Sequence, residues 1–168
     1  EHTEIYKDLK DRIQTFEKFA NKTEYVIANG DDPNVRAIQF HNKVVFYGED
    51  TNNDYQIKDI QLATTGSTFS LYQGEAYLDT FTIPLYGHHM VMNAAAAIIA
   101  SLQQGVTLEK IKDLLPSFQN AKRRFAETII EDTVIIDDYA HHPTEIRVTL
   151  EAVRQKYPTK KLTVVFRP

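Results

Sequence analysis

Three segments near the end of the chain limit the folds open to it. Residues 125–130 and 133–136 are β-branched runs that read as a hairpin, Pro143 opens a helix reaching to about Lys156, and residues 162–166 form a continuous apolar strand. Strand, helix and fully apolar strand predict a right-handed βαβ unit, which belongs in a parallel sheet covered on both faces. Ile146, Leu150 and Val153 share the helix face that would cover such a sheet.

The earlier residues read differently. Ile5, Leu9, Ile13, Phe16 and Ala20 fall at helical spacing, and the run from Tyr25 to Ala28 reads as a strand stopped by Asn-Gly-Asp-Asp-Pro at 29–33. Residues 35–40 suit a short helix before a strand at 43–47. From Tyr55 to Leu85 the period becomes two, predicting a small antiparallel meander with a turn at Gln73-Gly74-Glu75. Gly87 opens a helix that is apolar on most faces from 92 to 103 and ends at Gly105. Thr107 caps the next helix, whose buried stripe is expected at Leu108, Ile111, Leu114 and Leu115, with Pro116 as its stop. A boundary between two units is expected near residues 119–122, giving 1–120 and 121–168.

Composition removes several function classes. The 19 basic and 23 acidic residues give a net charge of −4 with mixed signs, so no electrostatic footprint for nucleic acid exists. No apolar run reaches the ~18 residues of a membrane span. Zero cysteines exclude disulfides and thiolate metal sites and fit a reducing compartment. The chain does not begin with Met, and it is expected to be a piece of something longer.

Chemistry concentrates in Asp137-Asp138-Tyr139-Ala140-His141-His142-Pro143-Thr144-Glu145, between a strand end and a helix start. Ligands of open α/β sheets bind outside the carboxyl ends of strands, at such a position. The plainer alternative is that an Asp caps the turn and a His bonds a carbonyl. Lys122-Arg123-Arg124 can grip phosphate through forked guanidinium bonds or form a solvated face. Gly87-His88-His89-Met90-Val91-Met92-Asn93-Ala94 opens the apolar helix, whose free N–H groups suit an anion or a base edge. His89 and Asn93 stand four residues apart on one face, and a buried Asn93 would need a partner.

Gly-x-His-x-x-x-Asn-Ala, Lys-Arg-Arg-Phe and Asp-Asp-Tyr-Ala-His-His-Pro-Thr-Glu-Ile together closely resemble the Mur ligases of peptidoglycan synthesis. Asn29-Gly-Asp-Asp-Pro is similar to that family's Asn-x-Asp-Asp turn, and the similarity runs in order from His2 to Phe166. Within the family, the last motif is closest to the branch that joins L-alanine to UDP-N-acetylmuramate. The resemblance implies an α/β fold. Residues 1–120 would be the later part of a P-loop-type central domain carrying the meander, and 121–168 the beginning of a Rossmann-like C-terminal domain. It further implies a cytoplasmic, ATP- and Mg2+-dependent ligase that turns a substrate carboxylate into an acyl phosphate, which the amine then attacks.

The resemblance also implies residue roles. His2 would help hold Mg2+, and His89 would stand at the nucleotide end of the central domain. Asn93 would read the adenine edge, Arg124 would lie near the phosphates and ribose, and Asp138 would accept the ribose hydroxyls. Tyr139 would face the nucleotide, and His141 and His142 the substrates. No residue of this stretch is assigned as a catalytic group.

Three departures stand out: Met90 replaces an asparagine usual after His89, no lysine stands at Phe16 or beside it where several sister ligases carry a carbamylated one, and no Gly-x-x-x-x-Gly-Lys-Ser/Thr occurs. The family carries that phosphate loop upstream, so these residues alone are expected to be inactive.

Two other enzymes compete. The recycling ligase that attaches a tripeptide to UDP-N-acetylmuramate shares much of the last motif but differs at Phe125 and Glu145. A manganese or zinc phosphoesterase could use Asp137, Asp138, His141, His142 and Glu145, but Ala140 stands where it needs an acid and no Asp-x-Asp occurs. A nucleotide-binding module without catalysis is the remaining alternative.

Overall fold

The computed structural model describes residues 5–166. Helix α1 (Leu9–Ala20) is capped by Asp8, whose carboxylate accepts from Asp11 N–H. Only Ala20 of the expected apolar stripe is buried, while Leu9 and Phe16 remain exposed. Strand β1 (Tyr25–Asn29), the short helix α2 (Pro33–Arg36) and strand β2 (Lys43–Gly48) follow.

The period-two region gives β3 (Tyr55–Ala63), β4 (Gly66–Gln73) and β5 (Ala76–Ile83), antiparallel as expected. They do not form a separate small sheet. They extend one five-stranded sheet, ordered β1-β2-β3-β4-β5, in which β1, β2 and β3 run parallel. Parallel neighbours normally need a long crossover. Here β2 and β3 overlap only at Tyr47–Tyr55 and Gly48–Gln56, so a short loop at 49–54 suffices.

The Asn-Gly-Asp-Asp-Pro motif builds that loop. Asp31 accepts from Glu49 N–H at 2.7 Å, Asp50 N–H at 3.0 Å and Asn53 Nδ2 at 2.8 Å. Asp32 caps α2, and Arg36 ties Gly30 to Asn53 while lying over the Phe46 ring.

Helix α3 (His88–Gln103) lies on the sheet. Its Val91, Ala95, Ile98 and Ile99 are buried against Ile57, Phe69, Leu71, Phe81 and Ile83. Each such side chain contributes about 1.5–3 kcal/mol on leaving water, and the alanines of α3 permit close approach. The Phe69 and Phe81 rings sit 5.8 Å apart at the centre. Alternation along β3 is broken by a bulge: the register with β4 shifts between Lys58 and Gln61, and Asp59 takes φ +54°.

Gly105, at φ +80°, ends α3 as expected. Helix α4 (Leu108–Leu114), capped by Thr107, buries Ile111 but leaves Leu114 57% exposed, so the expected four-residue stripe is narrower than its spacing suggests. Pro116 lies in a single 3-10 turn that ends it.

The hairpin forms as β6 (Ala126–Ile130) and β7 (Thr133–Asp137), and α5 (Pro143–Lys156) follows. The expected third part of the βαβ unit does not form. Residues 162–166 have no ladder to β7. Pairing requires strands about 4.8 Å apart. Instead a cavity of about 430 Å³ lies among β7, α5 and this segment, lined by Val134, Ile136, Ile146, Leu150, Val153 and Val164. The helix face read from the sequence is therefore correct, but the sheet it would cover is not closed. Val165 is 94% exposed.

Candidate nucleotide-facing site

The basic triplet leads into a tight double bend. Arg123 and Phe125 both have left-handed backbones, at φ +60° and +52°. Such conformations cost non-glycine residues about 1 kcal/mol each. Asp138, at the end of β7, holds the bend: its carboxylate accepts from Phe125 N–H and Ala140 N–H, both at 2.8 Å, and from Thr149 Oγ1 at 3.4 Å. Tyr139 N–H donates to Arg123 O at 2.9 Å. The guanidinium groups of Arg123 and Arg124 lie 5.1 and 5.9 Å from the centre of the Tyr139 ring, which meets the His141 ring edge-on. The bend thus presents two arginines beside an exposed tyrosine.

The following residues start α5. His142 accepts from Thr144 N–H through Nδ1, and Glu145 accepts from the N–H groups of His141 and His142, a reciprocal cap. The bond from His141 N–H is the main cause that holds the Glu145 carboxyl below its usual range. His141 Nδ1 lies 3.1 Å from Tyr139 O and 3.4 Å from Glu145. Part of the acid-histidine cluster is therefore helix-start chemistry.

Gly87 and the first turn of α3 approach this unit from the sheet. His89 is half-buried, its Nδ1 buried without a hydrogen-bond partner. Burial pulls its pKa down, helped by His88, while Asp138 and Glu151 act in the opposite direction. The start of α3 lies against α5, with Gly87 N–H donating to Gln155 Oε1 at 2.6 Å. Asn93 is exposed, so it carries no cost of burial, and its Nδ2 lies 3.9 Å from Met90 Sδ. It lies on the face of α3 opposite the buried Val91, Ala95, Ile98 and Ile99. His88 pairs instead with Glu49 at 2.6 Å.

The two parts touch through further contacts that the sequence did not mark. Tyr86 stacks on Phe125 at 5.6 Å, Lys156 lies over Tyr86 and pairs with Glu127 at 2.7 Å, and Gln155 bonds to the main chain on the sheet side. Burial opposes the charge of Lys156, but the hydrogen bond and charge of Glu127 outweigh it and raise its pKa. The partners lie up to 92 residues apart; only the adjacency of Tyr86 to Gly87 and of Phe125 to the basic triplet hinted at them.

His2 lies outside the described residues. Among the described residues no group of three or more His, Asp or Glu side chains converges as a metal site, which leaves the phosphoesterase reading without its centre. Among them, too, no helix is long and apolar enough to cross a membrane.

Comparison with known proteins matches residues 1–101 to the Mur ligase middle domain and residues 123–167 to the Mur ligase glutamate ligase domain. The chain belongs to the Mur ligase family. It is 40% identical, over its whole length, to the UDP-N-acetylmuramate–L-alanine ligase of Limosilactobacillus reuteri, and spans 39% of that relative. Among solved structures it resembles the UDP-N-acetylmuramate–alanine ligase of Thermotoga maritima, with TM-score 0.77 and 23% identity over 92% of this chain and 35% of that one. It also resembles the MurF ligase of Thermotoga maritima in complex with ADP, with TM-score 0.71 and 18% identity over 87% of this chain and 35% of that one. These Mur ligase structures share its α/β fold, with a P-loop-like central and a Rossmann-like C-terminal domain. The five-stranded part falls within the residues matched to the middle domain, and the hairpin with α5 within those matched to the glutamate ligase domain.

Proposed function

We propose that these residues form the nucleotide-facing junction of a cytoplasmic, ATP-dependent ligase that joins L-alanine to the carboxylate of UDP-N-acetylmuramate. The observation that carries this reading is the packing of the start of α3 against the C-terminal unit, where Gly87 N–H donates to Gln155 of α5 and Tyr86 stacks on Phe125, the residue whose N–H Asp138 holds. Full-length identity of 40% to an alanine-adding relative supports the substrates. Residues 1–120 and 121–168 are the corresponding portions of the central and C-terminal domains.

In the reaction, the substrate carboxylate attacks the terminal phosphorus of ATP, releasing ADP and forming an acyl phosphate. The amine of L-alanine then adds to the acyl carbon, and the tetrahedral intermediate expels phosphate. Arg124 offers a planar cation to phosphate or ribose oxygens, and Tyr139 offers an aromatic face. Asn93 presents an amide to the adenine edge. An ionised carboxylate has about four acceptor positions; three donors already occupy Asp138, so a ribose hydroxyl would take what remains. His141 and His142, at the start of α5, would border the substrates. Mg2+ would screen the phosphoryl oxygens, but the described residues supply no coordination sphere for it, and its assigned ligand is His2.

The test uses a full-length ligase that carries these 168 residues. Sustained ADP release over many turnovers should require both UDP-N-acetylmuramate and L-alanine and should yield one amide per ADP. Ligation of a tripeptide in place of alanine would instead identify a recycling ligase, and ATP hydrolysis without amide product would refute both. The 168 residues alone, without a phosphate loop, should show no ligation.

A further inference from the structure

Gln155 lies where three segments meet, and the roles above do not use it. It projects from the last turn of α5. Its Oε1 accepts from Gly87 N–H, at the cap of α3, at 2.6 Å. Its Nε2 donates to Ala63 O at 2.9 Å and Gly66 O at 3.1 Å, and lies 3.3 Å from Ser67 Oγ. One amide therefore ties the α5 part to both the β3–β4 turn and the start of α3.

The receiving surface is shaped for close approach. Gly66 and Gly87 hold φ of +137° and +91°; a Cβ on Gly66 would stand 2.3 Å from Ile83 O, and one on Gly87 3.0 Å from Ala152 Cβ. Ser67, almost wholly buried, donates to Leu85 O at 2.8 Å, which leaves its oxygen as an acceptor for Gln155. Only an amide matches this set of one donor and several acceptors; a carboxylate lacks the donors, and an ammonium lacks the acceptor.

We propose that Gln155 is a positioning residue that sets the alignment between the two halves of the nucleotide site, resting on the reading above. Asp138 meets α5 at Thr149, six residues before Gln155, or about 9 Å along the helix axis. A tilt of roughly 6° about the Gln155 end would move Asp138 by about 1 Å relative to the start of α3, by rod geometry. Two groups that must hold one nucleotide together lose contact when separated by about 1 Å more, because hydrogen bonds weaken steeply beyond about 3.2 Å.

Two measurements test this. The chain has no cysteine, so cysteines introduced at the exposed positions Glu109 and Thr128 report the spacing of the two parts through spin labels. Gln155→Met and Gln155→Glu should both broaden that distance distribution. In a full-length ligase carrying these residues, both variants should raise the KM for ATP by about tenfold or more while kcat at saturating ATP changes much less. A merely structural peg would lower the melting temperature and leave both readouts alone. Distances as narrow as the parent's, with unchanged KM, would overturn the proposal. Arg124→Met serves as the control for the nucleotide reading: if it leaves the KM for ATP unmoved while Gln155→Met broadens the distances, the nucleotide reading falls and the tether between the two parts stands.

Discussion

Replacing Asp138 by asparagine should weaken the C-terminal unit before any ligand is considered. The carboxylate makes two 2.8 Å bonds to the main-chain N–H groups of Phe125 and Ala140. Bonds from a backbone N–H to a charged acceptor contribute about 1.5–3 kcal/mol each. Asparagine can keep one of them with a neutral oxygen, worth about 1 kcal/mol, but must turn its NH2 toward the other donor. The Phe125 bond matters most, because it closes a bend with two left-handed residues, Arg123 and Phe125. The expected loss is about 3 kcal/mol, a large fraction of the ~5–15 kcal/mol that holds a domain folded. Urea unfolding measures the total, and amide exchange at Phe125 and Ala140 locates it. Thr149→Val, which removes only the 3.4 Å contact, should cost below about 0.5 kcal/mol. Asparagine within about 0.5 kcal/mol of the parent, with both amides still protected, would refute the assignment of Asp138 as the clamp of this bend.

Three further outcomes are expected. His89 has its pKa lowered by burial, so the unfolded chain takes a proton near pH 6.5 before the folded one does, and stability present above that pH is lost as pH falls toward the folded value. In His89→Gln the acid limb of a plot of urea midpoint against pH should be shallower, and an identical slope would contradict this. Gly87→Ala should cost about 2–3 kcal/mol in thermal or urea unfolding, because φ +91° and ψ +143° suit glycine almost alone and the new Cβ would meet the His89 ring at 2.8 Å. Glu145→Gln should lower stability by up to about 1 kcal/mol at neutral pH through the α5 cap. Since the Glu145 pKa is lowered in the fold, the difference should begin to shrink near pH 4.5 and be lost as pH falls through the lower folded value, and a constant difference down to pH 2 would argue against the cap.

Local chemistry in this chain could be read without coordinates, while contacts between distant segments could not. Thr107, Gly105, Pro143 and the Gln73-Gly74-Glu75 turn act within a few residues of themselves, and each behaves as its residue type dictates. The meander could not be joined to β2 in advance, because its attachment rests on two residue pairs and on Asp31 bonding a loop 18 residues away. The closing strand at 162–166 was misread for the opposite reason. Its apolar β-branched composition is a real strand signal, but a strand exists only with a neighbour, and here a cavity separates it from β7. A run apolar on most faces leaves open which of its polar residues faces water; the packing of α3 on the sheet leaves Asn93 exposed.

The Asp-Asp-Tyr-Ala-His-His-Pro-Thr-Glu stretch shows why motif density overstates chemistry. Asp138 clamps the preceding bend, and His142 and Glu145 start α5, so these side chains spend much of their bonding capacity on the fold itself. That expenditure still bears on function. A bend held at Phe125, Tyr139 and Ala140 keeps Arg124 and the exposed Tyr139 ring beside each other in one arrangement. Binding groups gain most when the entropy of ordering them has been spent before the ligand arrives. Tyr139→Leu separates the two contributions: it removes the ring while leaving the Tyr139 main-chain bond to Arg123 in place. It should leave urea stability within about 0.5 kcal/mol, as for other exposed substitutions. In a full-length ligase carrying these residues it should weaken ATP binding by several-fold, since an aromatic face against a base or cation contributes about 1 kcal/mol. Equal loss of stability and of affinity would mean that the ring, too, serves the fold alone.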